Sequence, residues 1–231
     1  MKKLLLAAVT LFAAHMNAQL SINDSLTISQ LTTLLQGSGV TVSGVTVNCP
    51  AVAMGEFTGT SEMAITHGIV LTTGHAEAVA DSASRWLSNI NNVPGDADLE
   101  ASAFTFNTHD ACAVSFDCTP TGDTLLFNFS FGSEEYPEFV SASFNDVFAI
   151  LMSGPGIAGQ RNVARLPNSL LVSIDNVNAV SNSTYFYDNL SPVGQYVAYD
   201  GFTTNLTAFA QVTPGSVYHF KVVIADEGDY S

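Results

Sequence analysis

Four carboxylates, Glu134, Glu135, Glu138 and Asp146, fall in one loop, Ser133 to Asp146, that joins two apolar runs and contains no Lys or Arg. Like charges held close together raise one another's pKa unless something positive sits among them. With cations this scarce, the candidates for that role are a hard divalent cation, backbone N–H groups or water. Calcium suits such a loop, because it takes roughly 6 to 8 oxygen ligands and needs no fixed ligand spacing. A second acidic loop after the last apolar run carries Asp226, Glu227 and Asp229. The sequence predicts a structural Ca2+ site drawn from Glu134, Glu135, Glu138, Asp146, Asp226 and Asp229. In the competing reading these acids cap loop amides or face water.

Other chemistry finds less support. A carboxylate pair can hydrolyse glycosides, and Glu134, Glu135 and Glu138 would supply it, but nothing marks one as acid and another as nucleophile. There is no HExxH, GxSxG or phosphate-binding loop. Asp96-Ala-Asp98-Leu-Glu100 opens like a calcium-binding EF-hand loop, yet Ala101 stands where Gly makes the turn and Asn107 where Glu closes it. It reads as a solvated turn. Trp86, Tyr187 and Tyr199, with Tyr185, Tyr196 and Phe202, are candidate stacking surfaces for a ligand such as an extracellular glycan. Packing within the body is the competing reading. The chain is expected not to be an enzyme.

These residues must be positioned by strands. Leu125, Phe127, Phe129 and Phe131 alternate with Leu126, Asn128 and Ser130, and Val147 to Met152 is a second apolar run closed by Gly154-Pro-Gly156. Further strand signals lie at Val40 to Val47 (interrupted at Gly44), Ile69 to Gly74, Ala113 to Cys118 and Leu170 to Ile174. Others are Tyr185 to Tyr187, Val197 to Tyr199, Leu206 to Val212 and Val217 to Ala225. One short N-terminal helix is expected, with Leu31, Leu34 and Leu35 on one face, a Thr27/Gln30 capping box and a stop at Gly37. Residues 75 to 100 read as a long polar surface excursion. Together these predict an all-β fold, an antiparallel two-sheet β-sandwich of jelly-roll type. Tyr136 and Phe139 are expected to anchor the acidic loop. Of the three cysteines, Cys112 and Cys118 share a strand face too far apart to bond each other, which leaves Cys49 to pair with either.

The chain has 231 residues and a net charge of −15. Six residues are Lys or Arg, two of them Lys2 and Lys3. Nucleic acid is thereby excluded as a partner and anionic membranes are poor partners, since binding them requires basic patches. Residues 1–18 read as a secretory signal peptide: Lys2 and Lys3, then the apolar run Leu4 to Ala14, then a cleavage region at Asn17 to Gln19. That run is too short to span a bilayer. Residues 19–231 are expected to form a single β-sandwich domain, truncated at its C-terminal end.

Several motifs together resemble the choice-of-anchor L domain. They are PTGDTL at Pro120 to Leu125, the block from Phe131 to Gly156, Asn162-Val-Ala164 and Tyr187-Asp-Asn189. Tyr199-Asp-Gly-Phe-Thr-Thr204, and Tyr218-His followed by Ile224 to Asp229, complete the set. The loop after Gly74 departs from the family pattern, with His75 where Asp is common. The resemblance implies an extracellular module of bacterial surface and secreted proteins, often exported by a type IX system. It also implies a C-terminal anchor or sorting domain outside this chain and no established catalytic activity. The expected function is adhesion or display by a calcium-stabilised, secreted or cell-surface module, with a surface protein or glycan as partner. The alternatives are a calcium-dependent carbohydrate-binding module and, with least support, a glycoside hydrolase.

Overall fold

The computed structural model describes residues 20–83, 89–142, 146–190 and 194–228. Within them the chain is an all-β sandwich: thirteen strands in four antiparallel sheets, with two short α-helices. The strands are β1 Ser21–Asn23, β2 Val40–Asn48, β3 Met54–Thr58, β4 His67–Leu71, β5 Thr108–Pro120, β6 Thr124–Phe129 and β7 Gly132–Ser133. They continue as β8 Val147–Ser153, β9 Arg161–Asn162, β10 Phe186–Asp188, β11 Gly201–Thr203, β12 Leu206–Gln211 and β13 Tyr218–Glu227. The main sheet has the order β2-β5-β13-β8-β9, and β6 pairs with β12. Two three-stranded sheets, β10-β11-β7 and β1-β3-β4, complete the body.

Alternation along β5 explains the main core. Cys112, Val114, Phe116 and Cys118 are buried with Tyr218 and Phe220 of β13 and Ile150 and Met152 of β8. They pack against Leu125 and Phe129 of β6 and Leu206, Ala208 and Ala210 of β12. Phe220 lies between two rings, with centroids 5.4 Å from Phe116 and 5.0 Å from Phe127. Helix α1 (Ile28–Leu35) has the expected capping box and buries Leu31 in this core.

The other face of the main sheet carries small residues, Ala111, Ala113, Ala149 and Ala225, which let a second helix approach. Helix α2 (Ala97–Ala103) drops Leu99 onto them, fully buried. Asp96 is its N-cap, accepting the backbone N–H groups of Asp98 and Leu99 at 3.1 and 3.0 Å. Gly95 precedes it because a Cβ there would collide with Thr108. Lys221 of β13 clamps the helix start, with Nζ 2.6 Å from Asp96 and 2.7 Å from Asp98. Burial alone would lower the Lys221 pKa, but the hydrogen bonds to Asp96 and Asp98 outweigh it and the net shift is upward. This stretch is therefore neither an EF-hand start nor a solvated turn, and α1 is not the only helix. A helix with one buried Leu among alanines shows no apolar periodicity, which is why the pattern missed it.

Other expectations are also corrected. Leu170 to Ile174 forms only isolated bridges, Leu171 with Arg165 and Ser173 with Val147, and Val197 to Tyr199 pairs in no strand. Val172, Ile174 and Val197 are buried all the same, so their apolar spacing reflects burial under loops rather than sheet pairing. The two halves of β2 are one strand with a bulge between Ser43 and Thr46, where Gly44 takes φ +62°.

Cys49 bonds Cys112, closing a loop of sequence separation 63, and Cys118 is a buried free thiol whose pKa burial pushes up. Replacing Cys49 and Cys112 together by Ser is expected to cost about 2–4 kcal/mol, with Tm falling by roughly 4–16 °C. Native Cys118 is expected to resist thiol reagents until the chain unfolds. An unchanged Tm, or rapid labelling of the folded protein, would contradict this placement.

Candidate functional site: a carboxylate pair at the end of the main sheet

Strand β13 reaches the end of the main sheet at Asp226, where its register with β5 slips: Ile224 pairs with Cys112, but Asp226 pairs with His109. Asp110 sits in the slipped stretch of β5 with φ +49°, a conformation that a side-chain-bearing residue seldom adopts. Its fully buried carboxylate accepts the backbone N–H groups of Asn91 at 3.0 Å and Val93 at 2.7 Å. Asn91 in turn donates its amide N–H groups to the carbonyls of Thr73 and Gly74, at 2.5 and 2.9 Å. One strained acid thus ties two loops to the end of the sheet.

Loop 133–146 arrives at the same end. Ser133 Oγ donates to Asp146 Oδ2 at 2.8 Å and accepts the Glu135 N–H at 3.0 Å. Tyr136 is buried, its hydroxyl donating to the Val177 carbonyl at 2.6 Å and its ring lying 4.8 Å from Phe186. It anchors the loop as expected, whereas Phe139 is exposed.

Asp146 and Asp226 meet here. Asp226 is 1% exposed. The Thr73 side chain hydrogen-bonds it, but among the described residues no donor reaches its Oδ2. Burial first, and the Asp146 charge second, hold its carboxyl well above the usual carboxylate range, against the opposing Thr73 bond. Asp110 adds a smaller push in the same direction. Tyr199, whose hydroxyl lies 3.1 Å from Thr72 Oγ1, reports the same concentration of charge. Burial pushes its pKa up to about 12 against the Thr72 bond, with Asp146, Asp226 and Glu134 adding to the rise.

The structure therefore gathers Glu134, Asp146 and Asp226 around Tyr199. Glu135 is buried beside Tyr136, and Glu138 is exposed in the same turn. Asp229 and Trp86 lie outside the described residues. Tyr187 is half-buried, stacked 4.8 Å from Phe202, and Phe202 is buried rather than exposed. Among the described residues no group of three or more His, Cys, Asp or Glu side chains is arranged to hold a metal ion. Sequence reasoning missed Asp110, Thr73 and Asn91. No local pattern around Asp110 signals that its amide partners come from 17 and 19 residues earlier in the chain.

The fold, the motifs and the acidic end of the sheet meet in one comparison: residues 19–231 match the model of the choice-of-anchor L domain. The chain belongs to that family. Choice-of-anchor L domains are non-catalytic modules of surface or secreted proteins. Among the described residues no helix is long and apolar enough to cross a membrane. No curated protein and no solved structure matches the chain.

Buried Asp226 makes stability depend on pH. Unfolded Asp ionises near pH 3.9, while folded Asp226 keeps its proton to much higher pH, so above about pH 4 the native state binds the extra proton. In chelator, stability is expected to fall as pH rises from about 5 to 8, by up to about 1.4 kcal/mol per unit for one proton. Asp226→Asn, a neutral isostere, is expected to flatten that slope in urea titrations. Equal slopes for the two proteins would contradict the assignment.

Proposed function

We propose that the chain is a non-catalytic adhesion or display module of a bacterial surface or secreted protein, stiffened by calcium at the end of its main sheet. Export by an N-terminal signal peptide and a type IX system, with attachment through a C-terminal sorting or anchoring segment, completes the reading. The observation that carries the calcium part is the Asp146–Asp226 pair. Two carboxylates in contact, Asp226 buried and Asp146 half-buried, raise each other's pKa unless a positive charge sits between them. A proton meets that need in the absence of metal, and a divalent cation in an extracellular medium would meet it by displacing that proton. Calcium would draw on Asp146 and Asp226, on the Thr73 and Ser133 hydroxyls, and on carbonyls or water, with Glu134 and Asp229 as further candidates. Its effect would be to lock loops 72–74, 89–94 and 133–146 together, which suits a rigid display surface.

A non-catalytic role is supported by the use the fold makes of its other acids. Asp96 caps α2 and holds Lys221, and Asp110 holds two loop amides. Glu100 accepts both the N–H and the hydroxyl of Thr108, and those bonds hold its carboxyl below the usual range.

Calcium at about 100 times its Kd is expected to add about 2.7 kcal/mol, raising Tm at pH 7.5 by roughly 5–11 °C over chelator at fixed ionic strength. Asp226→Asn should lose most of that rise. An unchanged wild-type midpoint rules the ion out. For location, protease or antibody added to intact cells is expected to reach the protein, and protection until lysis would contradict surface display.

A further inference from the structure

Arg161 and Arg165 both line a second feature, a cleft of about 480 Å³ between the end of α2 and the segment around β9. In so acidic a chain they pair with no described carboxylate, whereas Lys221 is held by Asp96 and Asp98. Arg165 donates Nε to the Asn162 carbonyl at 3.2 Å and Nη1 to the Ser169 carbonyl at 2.8 Å, which fixes its guanidinium plane and leaves other N–H groups unused. Arg161 is exposed on β9.

Two further lining groups lack partners. Asn162 is 5% exposed, and its Oδ1 accepts the backbone N–H groups of Ile150 at 3.3 Å and Ala164 at 2.9 Å. Those two donors fix the orientation of the amide, since flipping it would set NH2 against N–H. Its Nδ2 is therefore a buried donor with no acceptor, and Ser102 Oγ on α2 is likewise buried and unpartnered. Leaving such groups unpaired costs about 1–3 kcal/mol each, and both residues line the cleft. At its rim stands Phe104, 89% exposed and held in the left-handed conformation at φ +59° where helices usually place glycine. An exposed aromatic ring at the mouth of a cleft offers an apolar face on which a flat ligand can lie.

We infer that this cleft binds an acidic sugar, a saccharide unit whose single carboxylate or sulfate meets Arg161 and Arg165. Its hydroxyls meet Asn162 and Ser102, and its ring face lies on Phe104. The C-terminal end of α2 carries at most about half a negative charge, which two guanidiniums outweigh. The volume suits one or two sugar rings. The chain's overall negative charge does not prevent this, since it is screened beyond about 8 Å at physiological salt, but it disfavours a long polyanion. This inference does not rest on the calcium reading.

Ligand-observed NMR at physiological salt tests it with galacturonate, galactose 6-sulfate, methyl galactoside, acetate and an acidic tripeptide. Binding of galacturonate or of the sulfated sugar, at least tenfold tighter than methyl galactoside and acetate, is the expected result, and the tighter of the two identifies the anion. Arg161→Gln, at an exposed position, is expected to weaken that binding roughly 10- to 100-fold without moving Tm. Phe104→Ala should weaken the sugars but leave acetate unchanged. The inference is overturned if neither acidic sugar exceeds the neutral one, if acetate binds as tightly as the sugars, or if the tripeptide binds tightest.

Discussion

A buried carboxylate, Asp226, set against the half-buried Asp146 at the end of a sheet is a costly arrangement, because burial and a like charge both oppose its ionisation. Asp226 reaches it because β13 must run to the end of the main sheet, and Asp146 reaches it because β8 begins one residue later. Each ionised oxygen taken out of water requires a donor, a proton or a cation in return. Neighbouring parts of the chain supply that compensation: Thr73 to Asp226, Ser133 to Asp146, and two backbone amides to nearby Asp110. The loops at this end take their positions from the acids they serve.

Positive charge is scarce and placed with economy. Lys221 joins β13 to the start of α2, so one ammonium fixes the helix that covers the second face of the sheet. The two described arginines line the cleft at that helix's C-terminal end. None of these cations reaches the Asp146–Asp226 pair.

Much of the sandwich was legible. Period-two alternation marks β5 and β6 because each has one face in the same core, and β8 shows as a continuous apolar run because both its faces are buried. The capping box of α1 was readable because it is local to Thr27 and Gln30. The strand at Leu170 to Ile174 was misread because buried loops and strands can share an apolar spacing. Helix α2 was invisible because its burial depends on alanines from three other strands. At the site, crowding of Asp146 with Asp226 follows from composition and order, since both end apolar runs. The role of Asp110 does not, because its partners are amides far away in sequence, and neither does the exposure of Phe139.

The central claim is that the native chain holds one extra proton at this pair when no metal is present. Carbon-detected NMR of 13C-labelled aspartate carboxyls, followed against pH in chelator, reads it directly. One resonance that stays protonated at pH 7 and vanishes in the Asp226→Asn protein is the expected result. A spectrum in which every aspartate is already ionised by about pH 5 would contradict it.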